Sequence, residues 1–393
     1  MATGWLPGSV VALLALSSHD VAASKPAFVH LPPSPPRPSP STATLPPPPP
    51  PLRLRRRRGI LAATLAMASA TTAANEGADG APSPGRDIDG KSIALRIRAE
   101  LAEELSALPA GARRPGLAVM LVGARKDSQT YVRMKEKACA DCGMTSLLEK
   151  YENVDDDDLE AQLLAKIEEW NADDAVHGIL VQLPLPAKID EAKVLRAVAP
   201  AKDVDGLHPA NTAALFSTAT HAGAAKLNWK DLSSVPFHLP CTPQGCIELL
   251  DRIGVAIEGQ HAVVIGRSNL VGLPVAMLLC HRNATVTIVH SRTRDVADVV
   301  RRADIVVAAA GRARMVPPAW LQRGCVVVDV GINSVDDATA KRGYRLVGDV
   351  DYDGAKAVAG WITPVPGGVG PMTIAMLLRN TRNSWRRSLA ADE

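Results

Sequence analysis

Short apolar runs alternate with segments of helical apolar spacing along most of the chain. Runs such as 116–123, 178–186 and 261–266 are bounded by glycine or proline, which is typical of buried strands. The segments between them repeat apolar residues every three to four positions. This alternation predicts an α/β fold with parallel sheets. Strands are predicted at Gly116–Gly123, Gly178–Pro186, His261–Gly266, 284–291, 303–311 and Cys325–Asn333, and helices at 88–105, around Ser128–Lys135, at Leu159–Trp170, 241–254, 272–282 and Leu377–Trp385.

The first 66 residues differ in composition from the rest. Fourteen of the 31 prolines precede residue 52, and residues 1–66 carry a net charge of about +6 against about −3 for the remainder. Such a segment cannot bury enough apolar area to offset its chain entropy. A basic, acid-poor leader rich in serine and proline is typical of an organelle transit peptide.

Other interpretations of the leader are weaker. The apolar run Val10–Leu16 lacks the preceding positive charge of a secretory signal and is too short to cross a bilayer. The arginines at 53–58 have no interleaved aromatic residues, so no nucleic-acid partner is predicted. We expect a plastid stroma location first and a mitochondrial matrix second, and a cytosolic product if translation begins at Met67.

The six cysteines are scattered through the remaining sequence. Cys139 and Cys142 form a C-x-x-C, but neither a second pair nor a histidine cluster completes a zinc site. Reduced thiols in an intracellular protein are expected, and no metal site is predicted.

Ser128, Tyr131 and Lys135 form the pattern S-x-x-Y-x-x-x-K in a segment rich in helix formers. Residues three and four apart share one face of a helix, so the hydroxyl, the phenol and the amine would point the same way. An ordinary amphipathic surface helix would show the same pattern. The nucleotide-binding turn farther along the chain favours the functional interpretation.

That turn is Gly266-Arg-Ser-Asn-Leu-Val-Gly272, between a predicted strand and a helix. Backbone N–H groups and the helix dipole can hold a pyrophosphate there, although the G-x-G-x-x-G spacing is only partly met and a structural turn stays an alternative. An NAD site usually has an acid after the next strand, whereas this chain has Ser291 and Arg292. With Arg267 nearby, these groups suit a 2′-phosphate, and NADP is predicted over NAD.

Two further segments carry candidate chemistry. Gln182 lies in a predicted buried strand and needs hydrogen-bond partners, of which a lysine amine would be one. Asp205, in a turn-prone loop, is either an acceptor for a ligand N–H or an ordinary turn residue. The segment Thr363–Thr373 combines glycines with prolines, so it is stiff and lets its backbone approach a ligand closely.

Eight motifs occur in a fixed order: SQTYVRMKEKA, GILVQLPLP, KDVDGLHPAN, PCTPQG, VVIGRSNLVGLP, VHSRT, VVDVGIN and ITPVPGGVGPMT. With them, the chain from about Ile88 onward resembles the bifunctional methylenetetrahydrofolate dehydrogenase/methenyltetrahydrofolate cyclohydrolase family of the FolD type. The resemblance implies NADP-dependent oxidation of 5,10-methylenetetrahydrofolate to 5,10-methenyltetrahydrofolate, followed by hydrolysis to 10-formyltetrahydrofolate at the same site.

The resemblance also implies roles for five catalytic residues. Lys135 is the acid–base group of the hydrolytic half, Tyr131 stacks on the folate, and Ser128 is its companion hydroxyl. Gln182 tunes the lysine, and Asp205 holds the pterin. The implied substrate-binding set is Tyr131, Val132, Arg133, Met134, Lys135, Val181, Gln182, Leu183, Asp205, Pro366, Gly367, Gly368, Val369 and Gly370, and the cofactor-binding set is Gly266, Arg267, Ser268, Ser291 and Ile332.

The domain organisation expected from these matches has five parts: a disordered transit peptide at 1–66, a linker at 67–85, a catalytic domain at 86–239, a Rossmann-type NAD(P)-binding domain at 240–365, and a folate-site loop with a helix that returns to the catalytic domain at 366–393. The active site is expected in the cleft between the two domains. The resemblance implies tetrahydrofolate (poly)glutamates as substrate and a homodimer formed through the nucleotide-binding domain.

The chain departs from the family in three places. Ala213 stands where glycine is usual, the stretch between Asn211 and Cys241 is longer by about a dozen residues and is interpreted as a surface loop, and His238-Leu239 replaces an aromatic approach to PCTP. Two other classes of protein share parts of this pattern. In a short-chain dehydrogenase the glycine-rich turn precedes the catalytic tyrosine, the reverse of the order here. A non-catalytic NADP-binding relative would have no need of Lys135, Gln182 and Asp205 together.

Overall fold

The computed structural model describes residues 85–217, 235–340 and 343–391. The expected transit peptide, nearly all of the linker and the greater part of the insertion, residues 218–234, lie outside the described residues. None of the helices within the described ranges is long and apolar enough to cross a membrane.

The first half of the described chain alternates strands and helices around a small sheet. Its strands are β1 (Arg86–Asp87), β2 (Gly116–Val122), β3 (Thr145–Tyr151) and β4 (Gly178–Val181), and its helices are α1 (Gly90–Ser106), α2 (Lys126–Asp141), α3 (Leu159–Ala172), α4 (Glu191–Ala197) and α5 (Pro209–Ser217). Strands β3, β2 and β4 form a parallel sheet in that order. Every residue of the central strand β2 is buried, which explains its uninterrupted apolar sequence.

The second half contains a larger parallel sheet. Its helices are α6 (Cys241–Arg252), α7 (Gly272–His281), α8 (Val296–Val300), α9 (Tyr352–Lys356) and α10 (Val369–Ala391), and its strands are β5 (His261–Ile265), β6 (Thr285–Val289), β7 (Ile305–Ala308), β8 (Val326–Asp329), β9 (Asn333–Asp336), β10 (Tyr344–Val347) and β11 (Trp361–Ile362), with a 3₁₀ turn at Pro318–Trp320. The sheet order is β1-β11-β8-β7-β5-β6, with all pairs parallel. Strands β9 and β10 form a separate antiparallel pair.

The two halves are joined at both ends of the described chain. The first strand, β1, pairs with β11 in the larger sheet, although residues 86–87 were expected to open the catalytic domain. At the other end, α10 buries Leu377 in one apolar cluster with Leu117 of the small sheet and Val264 of the large one. The predicted two-domain α/β fold is confirmed, and a continuous core connects its two sheets.

Three predicted elements have different bounds. The helix expected at Leu377–Trp385 begins at Val369. Pro371 lies in its first turn, where backbone N–H groups have no intrahelical acceptor, so proline is tolerated there. The strand expected at Gly178–Pro186 ends at Val181, before two prolines that cannot donate to a neighbouring strand. The strand expected at Cys325–Asn333 is two strands, β8 and β9, separated by a short turn at 330–332.

Strand β3 was not predicted at all. Its sequence, TSLLEKY, lies at the edge of the small sheet, and its residues alternate between partly buried and exposed. Polar residues are tolerated on an exposed edge, so the sequence lacks the uninterrupted apolar run of a central strand.

Candidate active site

A buried lysine lies at the centre of the site. Helix α2 carries Lys135, which is only 6% exposed, and its Nζ donates to Oε1 of Gln182 at 2.9 Å. Gln182 follows β4, and its backbone N–H donates to the carbonyl of Met120 in β2. Its Nε2 donates to the carbonyl of Leu183 at 2.8 Å, which fixes the amide with its oxygen toward the lysine.

The charges around Lys135 are balanced against burial. Desolvation lowers the pKa of Lys135, and the nearby Asp205 carboxylate opposes that shift. Burial likewise raises the pKa of Asp205, while the lysine lowers it. Burial also raises the pKa of the neighbouring thiol of Cys241 well above its usual range. A lysine with a lowered pKa can hold or release a proton nearer to neutral pH than an exposed one.

The turn that carries Asp205 is fixed on several sides. Asp203 accepts hydrogen bonds from Nδ2 of Asn211 at 2.8 Å and from the backbone N–H of His208 at 2.7 Å. Gly206 has a φ of +73°, and a Cβ there would overlap the backbone of Leu239. Lys202, in the same loop, donates to backbone carbonyls of another segment and not to Gln182. Asp205 is therefore held beside the site by the loop around it.

Helix α2 carries Ser128 and Tyr131 as well as Lys135. Ser128 is buried, and its Oγ has no hydrogen-bond partner among the described residues, while Tyr131 is half-buried with a pKa raised by burial. These two side chains share the face of Lys135, as the spacing predicted. Of the other residues expected to bind substrate, Val132 packs in the apolar core, and the side chains of Arg133 and Met134 are exposed.

The segment Pro366–Gly370 is held against the start of the fold. Gly367 accepts a backbone hydrogen bond from Lys91 at 2.9 Å, and a Cβ on Gly90 would overlap the carbonyl of Gly368. Pro366 is exposed and precedes the helix, whereas Val369 and Gly370 belong to the first turn of α10 and not to the loop. Val181 is buried in the small sheet, and Leu183 is partly buried beside it.

Contacts connect the lysine cluster to the second half of the chain. Cys241, close to Lys135, begins α6, and the next residue, Thr242, shares a hydrogen bond of 3.1 Å with Thr373 of α10. At the start of that helix, a Cβ on Gly370 would lie 3.9 Å from Cδ1 of Ile332. Ile332, expected to contact the cofactor, therefore lies close to Gly370, expected to bind folate.

The predicted cofactor turn is tightly packed between β5 and α7. Gly266 has a φ of +122°, and a Cβ there would lie 2.1 Å from the carbonyl oxygen of Ala309, so no other residue fits. Oγ of Ser268 accepts from the backbone N–H groups of Val271 and Gly272 at the start of α7. Arg267 and Ser291 are exposed at the ends of neighbouring strands, with no acidic residue between β6 and Ser291. These residues fit NADP, because exposed cationic and hydroxyl groups are available for a 2′-phosphate.

Cysteines and metal ligands add little to this site. All six cysteines are free thiols, and only Cys280 is exposed. Within residues 85–217, 235–340 and 343–391, no group of three His, Cys, Asp or Glu side chains could hold a metal ion.

Some residues at the site were not found from the sequence. Cys241 and Thr242 lie in the PCTPQG motif, yet nothing in their spacing indicated contact with Lys135 or Thr373. Asn380 of α10 donates to the carbonyls of Val204 and Leu239, which holds the Asp205 loop to the first residues of α6. These contacts span more than a hundred residues, so periodicity carries no signal for them.

The fold and the site together define a two-domain α/β dehydrogenase with a buried lysine centre. Residues 88–205 match the family model described as tetrahydrofolate dehydrogenase/cyclohydrolase, catalytic domain, and residues 240–389 match its NAD(P)-binding domain. The chain belongs to this family.

Individual relatives agree with the family match. Bifunctional protein FolD 2 of Arabidopsis thaliana is 53% identical over 301 residues, which cover 76% of this chain and 95% of the relative. Bifunctional protein FolD 4, chloroplastic, of the same species is 50% identical over 301 residues, or 76% and 79% of the two chains. The crystal structure of Trypanosoma brucei N5,N10-methylenetetrahydrofolate dehydrogenase-cyclohydrolase (FolD) complexed with NADP cofactor and inhibitor has a TM-score of 0.70 at 42% identity, and covers 78% of this chain and 99% of that chain.

The family sets the activity. The protein is a bifunctional enzyme of one-carbon folate metabolism, which oxidises 5,10-methylenetetrahydrofolate with NADP⁺ and hydrolyses 5,10-methenyltetrahydrofolate to 10-formyltetrahydrofolate. The predicted activity and cofactor are confirmed. The two alternatives, a short-chain dehydrogenase and a non-catalytic NADP-binding relative, are not supported.

Proposed function

We propose that Lys135 is the acid–base group of the hydrolytic half-reaction and that Gln182 and Asp205 adjust its proton affinity. The observation that carries this proposal is the buried hydrogen bond of 2.9 Å between Nζ of Lys135 and Oε1 of Gln182. Burial lowers the pKa of the amine, so a neutral form able to accept a proton is accessible below its usual range.

The proton transfers follow from this arrangement. A water adds to the electrophilic methenyl carbon, and the neutral amine of Lys135 accepts the proton that this water loses. The resulting ammonium returns a proton to the folate nitrogen whose bond to that carbon breaks, and the hydroxyl of the adduct loses its proton to solvent as the formyl C=O forms. Gln182 keeps its oxygen toward Nζ in both states, and Asp205 stabilises the ammonium.

The oxidative half-reaction depends mainly on alignment. Bound NADP⁺ supplies the hydride acceptor. Gly266, Arg267 and Ser291 hold the cofactor phosphates in this proposal, with Ser268 shaping the turn and Ile332 contacting the cofactor. Tyr131, Ser128 and the Pro366–Gly370 segment position the folate, so little proton transfer is required of the protein in this step.

The variant Lys135→Met tests the acid–base role. It keeps a long apolar stem in the buried position but removes the amine, so hydrolysis of methenyltetrahydrofolate should fall by about 10²–10⁴-fold, the range for a general acid–base group. Folate affinity should persist, and hydride transfer should suffer less than hydrolysis. Absorbance assays of the residue 67–393 protein measure the rates of hydrolysis and of hydride transfer, and a folate titration measures the folate affinity.

Lys137→Met is the matched control. Lys137 lies on the same helix with a side chain 77% exposed, and its ion pair with Asp141 has an N–O distance of 3.5 Å. This variant should hydrolyse at the wild-type rate. A Lys135→Met enzyme with near-normal hydrolysis and lost folate binding would show that Lys135 binds the substrate and is not its acid–base group.

We further propose the cellular setting and assembly of the enzyme. The basic leader at 1–66 supports import into the plastid, as does the word chloroplastic in the name of one plant relative; a mitochondrial destination is second, and a product starting at Met67 would remain cytosolic. Import of a leader–fluorescent protein fusion, with the leader deleted as control, tests this. The substrates are proposed to be tetrahydrofolate (poly)glutamates and the assembly a homodimer, testable by glutamate-chain kinetics and light scattering.

The proposed domain division is 86–239 for catalysis, 240–365 for NAD(P) binding and 366–393 for the folate-site loop and returning helix. The boundary near 240 is supported by the end of one matched range at 205 and the start of the next at 240.

A further inference from the structure

Two carboxylates lie buried beneath the turns that follow β7 and β8. Asp329 ends β8 and is 2% exposed, and Asp349 follows β10 and is 0% exposed. Neither residue belongs to the candidate sets for folate or cofactor. Several of their hydrogen bonds go to the turns after β7 and β8, at the carboxyl ends of parallel strands, where nucleotides bind in folds of this type.

Asp349 accepts the backbone hydrogen bonds of the turn after β7. Its carboxylate accepts from three successive backbone N–H groups, at 2.6 Å from Ala310, 2.9 Å from Gly311 and 2.8 Å from Arg312. The preceding residue, Ala309, packs against Gly266, where a Cβ would overlap its carbonyl. The carboxylate thus fixes a turn that directly contacts the pyrophosphate-binding glycine.

The same carboxylate also fixes the turn after β8. Nδ2 of Asn333 donates to Oδ1 of Asp349 at 2.9 Å, and the backbone N–H of Gly331 donates to Oδ1 of Asp329 at 3.0 Å. The carboxylate of Asp329 also accepts from the backbone N–H of Asp349 at 2.9 Å, which holds the backbone of Asp349 in place. Ile332 stands between the two anchored residues Gly331 and Asn333.

The packing leaves no room for another arrangement of this turn. A Cβ on Gly331 would lie 2.2 Å from Oδ1 of Asp349, so the backbone rests directly on the carboxylate. On its other side, Cδ1 of Ile332 lies 3.9 Å from the Cβ position of Gly370, in the segment proposed to hold folate. A shift of the turn would therefore move the surface on which the cofactor meets the folate.

We propose that Asp349 is a positioning residue for NADP, which sets the two turns at 309–312 and 330–333 through one carboxylate. This inference rests on the cofactor placement proposed above. Asp349 does not need to touch the cofactor; its effect passes through the backbone of Ala310 and the side chain of Asn333.

Asp349→Asn tests the inference with little change in shape. An amide cannot accept from all the donors that the carboxylate serves, and its NH₂ would face backbone N–H groups. The dissociation constant of NADPH, measured by fluorescence in the absence of folate, should rise by about tenfold or more, as expected when charged hydrogen bonds that fix a binding surface are lost. Hydrolysis of methenyltetrahydrofolate without NADP should stay close to wild type. A purely structural role would lower both together.

Two further variants make the result decisive. Asp353→Asn changes an exposed acid four residues away and should alter neither quantity. Asn333→Ala removes only the hydrogen bond from the Ile332 turn to Asp349 and should weaken NADPH binding to a smaller extent. If Asp349→Asn fails to fold, this variant tests the positioning role instead. Unchanged NADPH affinity in a folded variant, or a parallel loss of hydrolysis, overturns the inference. If the wild-type protein itself did not bind NADPH, or if Arg267→Ala did not weaken that binding, the cofactor placement would fail instead.

Discussion

Among the ionic contacts between the helices that join the two sheets, those of Glu248 in α6 should contribute most to the free energy of unfolding. Its carboxylate receives both terminal nitrogens of Arg379 in α10, at 2.7 and 3.0 Å, and Nε of Arg252 at 2.9 Å. Arg252 in turn makes two hydrogen bonds to Glu100 of α1. One carboxylate therefore links α6 to α10 directly and to α1 through an arginine.

Burial decides how much each end of this network contributes. The side chains of Glu248 and Arg379 are 13% and 11% exposed, whereas that of Glu100 is 51% exposed. Burial raises the pKa of Glu248, but its arginine partners outweigh that effect and hold the pKa below its usual value. Removing one partner of a buried pair leaves an uncompensated charge, and Glu248→Gln should lower the free energy of unfolding by about 3 kcal/mol. Glu100→Gln removes an exposed contact and should cost about 0.2–1 kcal/mol.

Urea unfolding of the 67–393 protein, followed by both circular dichroism and tryptophan fluorescence, measures the loss in free energy of unfolding that each variant causes. Coincident transitions would permit a two-state comparison of the variants. Equal losses for Glu248→Gln and Glu100→Gln would refute the reasoning, because burial would then not distinguish the two ends. Loss of NADPH or folate binding at low urea by Glu248→Gln would further show that the α6–α10 contact shapes the site.

Two other outcomes are expected at the site itself. Burial lowers the pKa of Lys135, and the charge of Asp205 opposes that shift. Asp205→Asn should therefore move the inflection due to Lys135 in the pH profile of hydrolysis to lower pH. An unmoved inflection would mean that Asp205 is uncharged in the free enzyme. Arg267→Ala should weaken NADP binding by about 1.5–3 kcal/mol, the range for hydrogen bonds to charged groups, with little effect on NAD. Equal losses in titrations with the two cofactors would mean that Arg267 does not bind the 2′-phosphate.

The sequence predicted the elements that local physical rules determine. The run GLAVMLVG is a strand because both of its faces are buried, and S-x-x-Y-x-x-x-K places Ser128, Tyr131 and Lys135 on one helix because of helical periodicity. Gly266 could be identified because it opens a glycine-bounded turn between an apolar strand and a helix, and in the structure it has a φ of +122°. Each of these predictions depends only on a residue and its near neighbours in sequence.

What the sequence did not predict depends on contacts between distant segments. Strand β3 has no uninterrupted apolar run, and it is a strand because β2 offers an edge for it to pair with. The helix α10 starts eight residues earlier than periodicity indicated, at Val369, where the chain leaves the loop that contacts Gly90. Hydrogen bonds between remote residues, such as those of Asn380 and Asp349, have no counterpart in local spacing.

The returning helix α10 contacts the segments proposed for both activities. Its first turn brings Gly370 next to Ile332 on the cofactor side, and Thr373 hydrogen-bonds Thr242 beside the residue that begins α6 near Lys135. Farther along, Asn380 holds the carbonyl of Val204, the residue before Asp205. One helix therefore contacts Ile332, proposed to meet the cofactor, and the residues beside Lys135, the proposed acid–base group. Because the same helix contacts both, we expect a folate placed for hydride transfer to be placed for hydrolysis as well.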